Sequence, residues 1–215
     1  FGVINVVSGF FGAISEFYGT PVLPVTRMML GIVDSSYVFI VFIIIAYYAG
    51  EIVQRERQAG VSAYVDSMPF PNGVMVAAKL AALVTIVVLL LLVVMLTSIA
   101  VQAGHGYFHF EIGTYLTGLF IVRGWGLYLL CVLAVCIQAM SSNKFLGMLI
   151  LIVVFFAFET MNSVGLEHVL YQFAVPPVPM SDMNGWGHYV EPMVTVGAYW
   201  SLWMVLAGVA AHLSM

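Results

Sequence analysis

The chain has 215 residues, 63% of them hydrophobic and 7% charged, with a formal net charge of −4. A water-soluble domain of this size has no core able to hide so much apolar side chain, so that class is excluded, and long apolar runs mark helical membrane spans rather than alternating barrel strands. The small, dispersed charge suggests neither a nucleic-acid partner nor an acidic tail.

Residues 1–15, "FGVINVVSGFFGAIS", are apolar but too short to cross a bilayer alone, and read as the end of a span whose beginning is missing. The chain starts at Phe1 with neither an initiator Met nor a basic leader region, so it reads as an internal piece of a longer polypeptide and no signal peptide is assigned. Gly19, Pro21 and Pro24 then break any helix. Residues 28–50 form the next span, since about twenty residues at about 1.5 Å each cover the hydrocarbon.

Residues 51–72 hold Glu51, Arg55, Glu56, Arg57 and Asp66, the longest polar stretch in the sequence. Between two spans it is predicted as a short surface helix and loop, with Ile52, Val53, Ala59, Ala63 and Tyr64 as a weak apolar side and Pro69 and Pro71 as its stop. Spans are predicted over 74–102, 115–140, 145–164 and 192–213, which makes five full spans and a partial first one. The segment 165–191 carries prolines and glycines that exclude a continuous helix, so it reads as a re-entrant or surface-lying excursion, with Tyr171, Trp186 and Tyr189 as interfacial anchors. Cys131 and Cys136 lie inside an apolar run and read as small buried hydrophobes.

Arg55, Arg57, Lys79 and Lys144 fall on one side of this arrangement, and the positive-inside rule makes that side cytoplasmic. Lys79, one to two turns into its span, reaches back to the interface along its apolar stem. Three ionisable residues fall within spans. Asp34 lies about 9 Å, Arg123 about 12 Å and Glu159 about 8 Å below the outer edge. Charges at such depth pair or face a cavity, so Arg123 is expected to pair with Glu159, Asp34 or both. Packing, a polar lining for an export path and a proton relay all remain open as the use of that group. His105, His109 and Glu111 have a spacing that suits either metal ligation in a tight turn or interfacial anchoring, and the aromatic, Gly-containing stretch around them favours the anchor.

The order of an Arg-Glu-Arg triplet (55–57), a Pro-x-Pro break (69–71) and a span opening "AAKL" resembles the cytoplasmic loop between the second and third spans of type-2 ABC (ATP-binding cassette) exporter permeases. "EFYGTP", "YYAGEIVQRER", "VDSMPFPN", "NKFLG" and "SDMNGWGH" look more narrowly like large bacterial proteins in which such permease segments are fused to a thermolysin-like zinc aminopeptidase. The intervening Gln58 and Ala59 before Gly60, with Val61 after it, fit that branch better than the drug or polysaccharide branches. The peptidase's His-Glu-x-x-His motif does not occur in these residues.

The resemblance implies an all-α polytopic permease fold of about six spans, the first truncated here, in a bacterial inner membrane. It implies that Arg55, Glu56 and Arg57 contact a separate ATP-hydrolysing subunit, while Gly60 and Pro69 shape the coupling helix and its exit. ATP and Mg would reside in that partner, since the chain has no phosphate-binding G-x-x-x-x-G-K-[ST] loop, and no catalytic or metal-ligating residue is assigned here. A second permease unit and membrane lipid complete the expected partners. The competing readings are a membrane anchor for a peptidase without transport, and a proton-driven transporter. The latter would require broken helices and paired inverted halves, and the sequence shows no internal repeat.

A double-mutant cycle checks the buried charges. Arg123→Met combined with Glu159→Gln and with Asp34→Asn is expected to show coupling of about 1 kcal/mol or more with at least one acid in thermal unfolding of the solubilised protein.

Overall fold

The computed structural model describes residues 24–61, 72–161, 165, 166, 168–171, 173, 178, 180, 181 and 184–214, without the side chains of 34–36, 72, 159, 188 and 212–214. Among these residues the regular structure is helical. In chain order the elements are α1 (Thr26–Ser36), α2 (Val38–Gln58), α3 (Asn72–Gly104), α4 (Ile112–Met140), α5 (Lys144–Thr160) and α6 (Val190–Ser214). Four of them, α2, α3, α4 and α6, are long and apolar enough to cross a membrane.

The predicted boundaries shift in three places. The span expected over 28–50 is two helices meeting at Tyr37, whose N–H still bonds to the Val33 carbonyl, so the break is a local distortion. Asp, Ser and Ser just before it are weak helix formers, and the Tyr37 hydroxyl donates to the Leu90 carbonyl of α3 at 3.2 Å. At its other end α2 does not stop at 50 but runs on through Gln58. The polar letters Glu-x-x-Gln-Arg-Glu-Arg-Gln are good helix formers, so the helix outlasts the apolar run that revealed it. Residues 145–164 correspond to α5, an apolar helix of 17 residues. At about 1.5 Å per residue that is about 25 Å, short of a hydrocarbon core of about 30 Å.

The helix α4 lies at the centre, touching α2, α3, α5 and α6. Leu127, Leu130, Cys131, Ala134, Val135 and Ala139 are buried in it, and both cysteines are free. α3 turns a single buried stripe toward the bundle, Leu83, Val87, Leu91 and Val94, continued by Ser98 and Gln102, while Leu89, Val93 and Leu96 face outward. Spacings of three and four place that stripe on one side of the helix. Because lipid is as apolar as these side chains, burial alone does not hold such helices together, and close packing and polar contacts decide the arrangement. Phe42 of α2 stacks on Phe155 of α5 with centroids 4.1 Å apart. Phe158, Phe173 and Trp200 form an aromatic cluster between α5, α6 and the 165–191 segment.

Trp125 packs closely against Gly197 of α6 and donates its indole N–H to Ser201 Oγ at 3.1 Å. A Cβ at Gly197 would stand 2.6 Å from the Trp125 ring. The glycine that permits close approach is therefore on the facing helix, whereas the nearest atoms a Cβ at Gly124 would meet belong to Tyr128 of its own helix. In the 165–191 segment the described residues form a 3₁₀ turn over Val169–Tyr171, an isolated bridge between Ser181 and Gly185, and a 3₁₀ turn over Gly187–Tyr189.

Gly197→Val is expected to destabilise the protein by about 1–3 kcal/mol, because a full indole must move to admit the side chain. Trp125→Ala in the same background should recover part of that loss, read by thermal unfolding in detergent.

Candidate functional site

At one end of the bundle the last turns of α2 meet the start of α3 and the short link from α4 to α5. Two ion pairs tie these elements together: Lys79 Nζ to Glu56 Oε2 at 2.8 Å, and Lys144 Nζ to Glu51 Oε2 at 2.8 Å. Both acids are partly exposed, so these pairs contribute register more than stability. Lys144 also stands over the Tyr47 ring at 5.9 Å and the Phe145 ring at 5.5 Å, where the ring faces attract its charge.

Beneath the ion pairs lies a network centred on two side-chain amides. Gln54, fully buried on α2, donates its amide hydrogens to the Gln138 carbonyl at 2.8 Å and the Ser141 carbonyl at 3.0 Å. Arg57 Nη1 donates to the same Ser141 oxygen at 3.2 Å. A helix leaves its last carbonyls without intrahelical donors. Here a neighbouring helix supplies donors for those of α4, and the Arg57 cation also complements the negative end of the α4 dipole. The Gln138 amide sits between two glycines: a Cβ at Gly50 would lie 3.1 Å from Gln138 Nε2, and one at Gly147 would overlap the amide group. Gln138 Nε2 donates to the Lys144 carbonyl at 3.3 Å, and Asn143 caps α5 by accepting from the Leu146 N–H at 2.8 Å.

The residues singled out from sequence divide accordingly. Arg55 is exposed and has no side-chain partner among the described residues. Glu56 and Arg57 are engaged within the bundle. Gly60 has φ 69° and ends α2, with its N–H on the Arg57 carbonyl and the Val61 N–H on the Glu56 carbonyl. That pair of bonds is a Schellman closure, which needs a left-handed residue that glycine adopts without strain. Pro69 lies outside the described residues, as do the side chains of Asp34 and Glu159, so the expected pairing of Arg123 with these acids is not described. Arg123 is the last residue of a π-helical stretch, Leu116–Arg123, within α4.

Gln54, Gln138 and Ser141 were missed by sequence reasoning. The available signal was a polar amide recurring inside two otherwise apolar runs, since buried amides in membrane helices seek a partner. At the opposite end a second such residue, Gln102, donates to the Pro24 carbonyl at 2.8 Å and accepts from the Tyr115 hydroxyl at 3.0 Å. His105 Nδ1 lies 2.9 Å from the Val101 carbonyl oxygen, and among the described residues no three His, Cys, Asp or Glu side chains converge as a metal set.

A family model described as "ABC-2 family transporter protein" matches residues 3–159. This chain belongs to that family and is a multi-pass membrane component of an ABC transporter. No curated protein and no solved structure matches the chain.

Gln54→Met keeps the length of the side chain and removes its donors, which leaves the Gln138 carbonyl with only the Ser141 N–H at 3.3 Å and the Ser141 carbonyl with only Arg57. It is expected to destabilise the protein by about 1–3 kcal/mol, measured by thermal unfolding, while Arg55→Ala at the exposed neighbouring position should change the midpoint little.

Proposed function

We propose that this chain is the membrane-spanning unit of an ATP-driven exporter, with a separate ATP-binding subunit docking on the charged end of α2 from the cytoplasmic side of a bacterial inner membrane. The observation that carries the reading is the division of labour in the Arg55–Glu56–Arg57 triplet. Glu56 and Arg57 are bonded to Lys79 and to the Ser141 carbonyl, while Arg55 has no side-chain partner among the described residues and stands exposed, with Arg57, Gln58, Ala59 and Gly60, around the closure of the helix. An exposed cation beside a rigidly tied helix end suits a docking surface, because a force applied there reaches α3, α4 and α5 through the contacts described above. A mere connector would not need Glu51, Gln54, Glu56 and Arg57 bonded to the start of α3, the end of α4 and the start of α5.

On this reading the chain performs no chemistry. ATP and Mg bind in the partner, hydrolysis there drives alternating exposure of a path between two permease units, and Gly60 and Pro69 shape the exit from the docking helix. Membership of the family supports an ATP-binding partner in general. The finer resemblance, to permeases fused with a zinc aminopeptidase, is supported only by the sequence motifs that suggested it.

The test is to tag the parent protein, extract it gently and identify co-purifying chains by mass spectrometry. A subunit carrying a phosphate-binding loop is expected with the wild type. Arg55→Glu should lower its recovery by about tenfold, equivalent to about 1.4 kcal/mol of binding, and Glu56→Ala with Arg57→Ala should lower it further by loosening the helix end. Recovery of no such subunit with the wild type would overturn the exporter reading in favour of the membrane anchor.

A further inference from the structure

The central helix α4 is anchored in three places. At the charged end, Gln54 and Arg57 hold the carbonyls of Gln138 and Ser141. In its middle, Trp125 is seated on Gly197 and bonded to Ser201. At the opposite end, Tyr115 is bonded to Gln102, which is bonded to Pro24. Between the second and third anchors α4 is not an α-helix: Leu116–Arg123 is π-helical over eight residues. Runs of that kind are rare, occur mostly as single turns and concentrate at functional sites. Thr117 and Gly118 are poor helix formers. The Thr117 hydroxyl donates back to the Gly113 carbonyl at 2.9 Å, and Gly118 is closely covered by Leu30, with Trp186 beside it.

A continuous α-helix fixed at both ends passes on a movement only by breaking one of its anchors. A segment that interconverts between π and α pairing changes how many residues make a turn, and one residue of slip is about 100° of rotation. It thus lets the Trp125 side of α4 move while Tyr115 stays on Gln102. We propose that α4 is the helix moved from the charged end, with Gln54 as its handle and Leu116–Arg123 as the joint that takes up the movement. This rests on the exporter reading above, and it names the internal element that reading requires.

The test is hydrogen exchange by mass spectrometry on the complex purified with its ATP-binding subunit in lipid nanodiscs, with and without ATP plus vanadate. Exchange over Leu116–Arg123 is expected to change by about tenfold or more on trapping the nucleotide, while 124–140 stays protected. In the Gln54→Met complex, with the subunit still bound, the change should disappear. Tyr115→Phe supplies a second reading that does not depend on Gln54: with that anchor freed, the change should spread into Ile112–Tyr115. A bound subunit with an unresponsive π segment, an undiminished response in Gln54→Met, or a response still confined to Leu116–Arg123 in Tyr115→Phe would overturn the inference alone. Absence of the subunit from the wild-type preparation would remove the exporter reading and this inference together.

Discussion

The carbonyls at the last turn of α4 lack their usual intrahelical donors, Gln138 having only a long 3.3 Å bond from the Ser141 N–H, and a helix end near hydrocarbon cannot rely on water to make up the difference. Gln54 and Arg57, reaching across from α2, meet that need at Gln138 and Ser141. Much else at this end of the bundle follows from that requirement. For Gln54 to reach α4 the two helices must be close, so Gly50 stands one turn away on the same face, where a side chain would press on the Gln138 amide. For Gln138 to sit there, α5 must also present a glycine, and Gly147 does so. The outer ion pairs, Glu51 with Lys144 and Glu56 with Lys79, then close over a geometry the buried amides have already set.

This order of causes bears on how α2 relates to the membrane. Two amphiphilic signals overlap in one helix. Up to Gly50 its residues are those of a span, and from Glu51 they are those of a surface element, yet the backbone does not change at the boundary. The hydropathy break therefore does not mark where the helix ends. A helix that emerges from the membrane without a joint transmits tilt and translation better than a separate surface helix on a flexible link. The joint is instead one step later, at Gly60, where the Schellman closure ends α2 beyond its tied residues.

The spans were legible because their signal is redundant: twenty or so apolar letters in a row survive an error of a few residues at either end. That is why α3, α4 and α6 stand where the runs of 74–102, 115–140 and 192–213 put them, to within a few residues. What hydropathy does not carry is pairing. Trp125 stands between two glycines of its own helix, but the space it occupies is made by Gly197, over seventy residues away, and nothing in the local pattern announces a partner at that distance. Gln54 and Gln138 looked like incidental polar letters for the same reason. The π segment was illegible too: Thr117 and Gly118 are weak helix formers and Arg123 is a charge within a span, but nothing in those letters distinguishes π from α pairing over Leu116–Arg123.

The two buried glutamines that face opposite ends of the bundle, Gln54 and Gln102, have the same relation to their neighbours. Each is fully enclosed, each donates to a backbone carbonyl on another part of the chain, and each lies on a helix flanking α4. A hydrophobic contact between membrane helices has little to prevent it from sliding, because lipid offers nearly the same environment in every register. A buried amide bonded to one particular carbonyl does not slide, since any other register leaves polar groups unsatisfied in an apolar medium. In a family whose members move material across a membrane, the packing must be permissive enough to rearrange and yet specific at a few points that define which parts move together. The glutamines supply the specific points, one binding α4 to the charged end of α2 and one binding it to α3 and the chain before α1. The apolar contacts of Leu83, Val87, Leu91 and Val94, which have no such bonds, supply the freedom. The direction of any force through the bundle is then decided by where the amides are, and α4, held by both, is the helix through which the two ends communicate.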